Sequence, residues 1–251
     1  MDQLCGFFLL FSKEIVLIPI FLIGYFFYNR NVFFQALVLL LFSLVAAAFL
    51  KSLFKIPLLP HLGEGWAFPS GHMFTATVFW GFLALKLRNK FITALVIILL
   101  AGIGYSLMHF HYHNLIDIVG AVGFAILLII FYRILLDQTS LGQHTAALSL
   151  SMLTLSVLLI YLTPPFKPIF YIPLGTLTGL TLGSFLAEFH PFKKRIPLLV
   201  EVILCFAGLV LIYLLSPFLA NTILSCQFVL YFLIGIWLTF GPKLLNTVVR
   251  L

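Results

Sequence analysis

Apolar residues run through this chain in blocks of about 20, separated by short polar stretches, from the first residues to the last. A block of that length is what an α-helix needs to cross the hydrocarbon core of a bilayer, at about 1.5 Å of rise per residue. The pattern predicts nine spans, at roughly 11–29, 32–53, 70–87, 91–109, 114–136, 145–163, 169–189, 196–215 and 218–240. Most connections are short, so consecutive helices should form antiparallel hairpins. The exception is KIPLLPHLGEGWAFP at residues 55–69, rich in proline, glycine and polar residues. A loop of that length inside a compact bundle points to function.

Composition fixes the class. The chain has 251 residues, 63% of them hydrophobic and 8% charged, with 29 phenylalanines. A soluble domain of this size needs a polar exterior that so few polar residues cannot supply. The fold class expected is therefore all-α: a polytopic transmembrane helical bundle. The opening MDQLCGFFLL lacks the basic stretch and small-residue cleavage site of a secretory signal, so the start is read as mature protein. Cys5, Cys205 and Cys226 are far apart, lie in or beside apolar runs, and form no metal-ligand pattern.

The net charge of +7 matters less than its distribution. Alternating the span ends places Arg30, Lys86, Arg88, Lys90, Arg133, Lys193, Lys194, Arg195, Lys243 and Arg250 on one side, and Lys13, Lys51, Lys55 and Lys167 on the other. The positive-inside rule then puts the N-terminus outside and the C-terminus in the cytoplasm. The 55–69 loop and a histidine-rich stretch, SLMHFHYHNLID at 106–117, share the outer face. In the C-terminal part, Gly175, Gly179 and Gly183 recur every fourth residue and form a flat helical ridge. Such a ridge serves close packing within the bundle or, alternatively, a homodimer interface. Glu201 lies inside a predicted span, where a carboxylate must be neutral or partnered.

Two short segments carry candidate chemistry. In Phe68-Pro69-Ser70-Gly71-His72, proline ends the extended loop and Ser70 suits the N-cap of the next helix. First-turn amides and the helix dipole make a phosphate seat, Gly71 permits close backbone approach, and His72 stands beside it as a proton donor or acceptor. The alternative is a turn into the membrane that happens to contain histidine. In the second segment, Asn114 can cap a helix with Asp117 as the distal member of a capping box. His113 then lies one turn from a carboxylate able to fix its tautomer. His109, His111 and His113 alternate, as metal ligands on an extended segment would, but the segment is too short for a strand and Asp117 accounts for His113 without a metal.

Lys51, PSGH at 69–72, and His113 with Asp117 resemble the three-part signature of the type 2 phosphatidic acid phosphatase superfamily: K-x6-R-P, P-S-G-H and S-R-x5-H-x3-D. The resemblance covers roughly residues 40–125, with a helical framework to about 137, which divides the chain into a phosphatase-like core at 1–137 and additional C-terminal helices at 138–251. It implies His113 as nucleophile, Asp117 as its orienting partner and His72 as general acid. Lys51, Ser70 and Gly71 would hold the phosphate, with no metal or other cofactor. The implied function is hydrolysis of a lipid phosphate or pyrophosphate through a phosphohistidine, at the outer face of a bacterial inner membrane. Undecaprenyl pyrophosphate, phosphatidic acid, phosphatidylglycerol phosphate and lipid A phosphates all suit the family, and the lipid tails would enter between helices.

This chain departs from the signature at both arginines. Counting from Lys51 places Leu58 and Leu59 at the R-P pair, and counting back from His113 places Leu107 at the second arginine. Leucine cannot supply the paired, charge-assisted hydrogen bonds that arginine gives a phosphate. Lys55, His109, His111 and His61 of the long loop are the candidate replacements. A lipid phosphotransferase and a non-catalytic member that binds or moves a phospholipid are the alternative functions.

Overall fold

A computed structural model describes residues 1–189, 197–220 and 226–241. Lys193, Lys194, Arg195, Lys243 and Arg250, half of the basic side predicted above, lie outside these residues. The regular structure is all helix, without strands among the described residues, and helix makes up 84%. The chain divides into two compact units, Met1–Ser140 and Leu141–Leu251.

In the first unit α1 (Asp2–Leu10) and α2 (Glu14–Ile23) are followed by a π-helical turn, Gly24–Tyr28. Then come α3 (Arg30–Phe54), α4 (Gly71–Leu87), α5 (Lys90–His109) and α6 (Leu115–Gln138). The second unit contains α7 (Thr145–Tyr161), α8 (Tyr171–Phe189), α9 (Leu198–Ala220) and α10 (Cys226–Thr239). Each predicted span overlaps a helix, but among the described residues four helices are long and apolar enough to cross a membrane by themselves: Arg30–Phe54, Lys90–His109, Leu115–Gln138 and Pro168–Phe189. A bent pair, Asp2–Leu10 with Glu14–Tyr28, has the length and composition of a fifth if the two helices form one broken span. These helices fit an integral membrane protein.

The first predicted span, 11–29, corresponds to Glu14–Tyr28, and an additional helix not predicted, Asp2–Leu10, precedes it across a bend of 46° at residues 11–13. The polar triplet Ser12-Lys13-Glu14 interrupts the apolar run at that point, and Lys13 takes the extended conformation of an N-cap residue.

α4 is the centre of the first unit, packed against α3, α5 and α6. Apolar residues all round this helix let it be buried on every side, and Ala76, Val78 and Phe79 are wholly enclosed. By contrast, α5 and α6 carry exposed Leu95, Ile97, Ile98, Ile126, Leu127 and Ile130, which suit lipid rather than water. Tyr132 on α6, also fully buried, donates its hydroxyl to the Gln35 carbonyl of α3 at 3.0 Å.

At the far ends of α4 and α6, Lys86, Arg88 and Arg133 line one small cavity, so these basic residues gather at the end opposite the N-termini of α4 and α6. In the second unit, the glycine ridge of α8 is covered by α10. A Cβ on Gly175 would meet the Phe228 carbonyl, one on Gly179 the Phe232 carbonyl, and one on Gly183 the side chain of Thr239. Close helix approach within the unit thus uses this ridge. Cys5 and Cys205 are buried. Glu201 sits in the first turn of α9.

Candidate active site

Two helix N-termini build the site. Asn114 caps α6 through a complete capping box: its side chain accepts the Asp117 amide, and the Asp117 carboxylate accepts the Asn114 amide at 3.1 Å. This pairing is local and follows from the spacing of the two residues. The same carboxylate oxygen, Asp117 Oδ2, lies 3.3 Å from Nδ1 of His113, and both side chains are nearly enclosed. With its proton on Nδ1 and directed at the carboxylate, the imidazole keeps its lone pair on Nε2. The Leu107 carbonyl accepts the His113 amide at 3.3 Å and the Tyr112 amide at 3.0 Å, which folds the end of α5 back toward α6.

The second N-terminus belongs to α4. The Ser70 amide donates to the Asp117 carbonyl at 3.1 Å, joining the starts of α4 and α6. Ser70 occupies the N-cap position, but its hydroxyl makes no capping bond, a difference from the sequence expectation. That hydroxyl is fully buried and has no hydrogen-bond partner. A buried donor left open beside uncapped first-turn amides suits an anion. Lys51, on the last turn of α3, passes its Cε 3.8 Å from where a Gly71 Cβ would stand, and donates Nζ to the Trp66 carbonyl at 2.8 Å.

The 55–69 loop folds over this end of the unit. Ala67 donates to the Ile56 carbonyl at 2.7 Å and Leu58 to the Gly65 carbonyl at 3.1 Å, while Gly65 takes a φ of +144° that a side chain would strain. At its tip, His61 donates Nε2–H to the His111 carbonyl at 3.1 Å.

Beneath the loop is a cavity of about 300 Å³, lined by residues that include His72, His113, Leu58, Leu107 and Lys13. His72 and His113 are thus brought to one space. Asp117, Ser70, Gly71 and Lys51 adjoin these two histidines without lining the cavity themselves. Both positions expected to hold arginine, Leu58 and Leu107, face the cavity. Lys55, His109 and His111 do not line it. Lys55 ends α3 in the left-handed conformation, His109 contacts the Asp2 carboxylate at 2.8 Å, and His111 is exposed. Among the described residues, no group of three or more His, Cys, Asp or Glu side chains is placed to hold a metal ion. Lys13 is the lysine in this lining, and sequence reasoning does not assign it to the site. The polar triplet around it, inside an apolar run, is the signal that could have found it.

Burial pushes the His113 imidazole below the usual histidine range, and the Lys51 charge adds to this, while the hydrogen bond and charge of Asp117 oppose it. The ring is therefore neutral at neutral pH.

A second, larger cavity of about 800 Å³ runs between α4, α5 and α6, lined by apolar residues such as Met73, Gly104, Leu115 and Ile118 and reaching Arg133. From Leu115 to Arg133 the helix rises about 27 Å, close to the thickness of a bilayer's hydrocarbon core.

Residues 55–140, about a third of the chain, match the family model of the PAP2 superfamily. No curated protein and no solved structure gives a significant match.

Proposed function

On the premise that residues 55–140 mark a member of the type 2 phosphatidic acid phosphatase superfamily, we propose that the protein hydrolyses a phosphate ester or diphosphate carried by a membrane lipid. The observation that carries this reading is the buried His113–Asp117 pair at 3.3 Å, in a cavity that His72 also lines.

In the proposed reaction, the Nε2 lone pair of His113 attacks phosphorus, and the bond from phosphorus to the leaving oxygen breaks. His72 gives its proton to that oxygen. Asp117 stabilises the positive charge that develops on the His113 ring. Water then attacks the phosphohistidine, giving a proton to His72, and the phosphorus–nitrogen bond breaks to release inorganic phosphate and free His113. Ser70, the first-turn amides of α4 and Lys51 favour the phosphate's negative charge. The apolar groove between α4, α5 and α6 suits the lipid chain, with the headgroup at the N-termini of α4 and α6. The excess of basic residues at the opposite end favours an outward-facing site.

The test is phosphate release by purified protein from a panel of lipid phosphates and diphosphates. Activity in the wild type, lost in His113→Ala, supports the reading; full activity in His113→Ala refutes the nucleophile. Running the same assay with an acceptor lipid separates hydrolysis from transfer of the phosphoryl group.

A further inference from the structure

We infer that Lys13, presented by the break between α1 and α2, binds the substrate's phosphate in place of the arginines absent at Leu58 and Leu107. The inference rests on the phosphatase reading for its substrate, but its test does not depend on turnover.

The cavity lining contains one lysine and no arginine, and that lysine is Lys13. Leu58 and Leu107 contribute only apolar surface to the same space, so a phosphate placed against His113 meets no other lysine or arginine in the lining. The lysine also lies at an unusual place in the chain. The bent pair of helices is apolar on both sides of the break, with GFFLLF before it and IVLIPIFLI after it. An exposed lysine at a break between two apolar helices, opening on the cavity, is placed for a polar role.

The break is held from several sides. Trp80 on α4 donates its indole N–H to the Phe11 carbonyl at 2.9 Å, and the Ser12 hydroxyl donates to the Leu9 carbonyl at 2.8 Å. α1 packs on α5, where the Phe8 ring covers Gly102 and Asp2 meets His109. Lys13 is therefore set at the cavity by fixed neighbours. It forms no ion pair among the described residues, and its charge acts on His72 together with those of Lys51 and Glu14.

The experiment measures orthovanadate binding to purified protein, by thermal shift and by titration, beside lipid phosphate turnover. The proteins are wild type, Lys13→Met, Lys13→Arg and Lys55→Met. Lys13→Met should bind vanadate roughly 10- to 100-fold more weakly and lose turnover to a similar degree, Lys13→Arg should restore most of both, and Lys55→Met should match wild type. Without ligand, Lys13→Met should unfold close to the wild-type temperature, because Lys13 is exposed and holds no ion pair among the described residues. Turnover in the wild type with undiminished binding and turnover in Lys13→Met overturns the role of Lys13 and leaves the phosphatase reading intact. Absent turnover with vanadate binding that depends on Lys13 overturns the phosphatase reading alone. A wild type that binds no vanadate overturns the inference.

Discussion

Replacing Asp117 by asparagine tests the electrostatic half of the proposed chemistry. The carboxylate oxygen is 3.3 Å from His113 Nδ1, and the two side chains, His113 and Asp117, are 8% and 7% exposed, so solvent screens them little. When His113 attacks phosphorus its ring becomes positive. With charge centres about 4 Å apart and an effective dielectric near 20, the attraction is about 4 kcal/mol. Asparagine keeps an acceptor for the Asn114 amide, so the α6 cap and the fold should persist. The loss should therefore appear in rate, as roughly a thousandfold fall in kcat. The assay is the initial rate of phosphate release, with thermal unfolding followed in parallel by circular dichroism. A folded Asp117→Asn protein within tenfold of wild type would refute the reasoning.

Three further outcomes follow from the same geometry. Because burial and Lys51 lower the His113 pKa, activity should persist as pH falls through about 6.5 and decline only below it; Lys51→Met should move this acid limb upward in the residual activity, and a pH–rate profile checks both. Trp80→Phe removes the indole bond to Phe11 and should lower stability by about 1–3 kcal/mol while weakening turnover, as read by denaturation and phosphate release. Gly179→Ala places a methyl group against the Phe232 carbonyl and should destabilise the second unit by about 1–3 kcal/mol, measured as a lower unfolding temperature.

Local features are legible in the sequence. The Asn114–Asp117 capping box depends on neighbours three residues apart, and the glycine ridge on a period of four, so spacing alone reveals both. Helix positions follow from apolar runs for the same reason. Features that depend on tertiary contact are hidden. His109 looks available for phosphate in the sequence because its partner, Asp2, lies 107 residues away. Lys55 looks like a continuation of the α3 face, but the helix ends at Phe54 and Lys55 turns into the left-handed region. Lys13 reads as a boundary charge: the polar triplet marks an interruption, but which cavity that interruption faces depends on how the separate helix Asp2–Leu10 packs. Only the folded chain brings it to the cavity with Leu58 and Leu107.

The proposed reaction passes through a covalent phosphohistidine at His113. Rapid acid-free quenching of the enzyme with lipid substrate labelled in its phosphate, followed by peptide mapping, tests it most directly. An acid-labile, alkali-stable label is expected on the peptide carrying His113, and none in His113→Ala. Turnover without such a label, or a label that persists in His113→Ala, would contradict it.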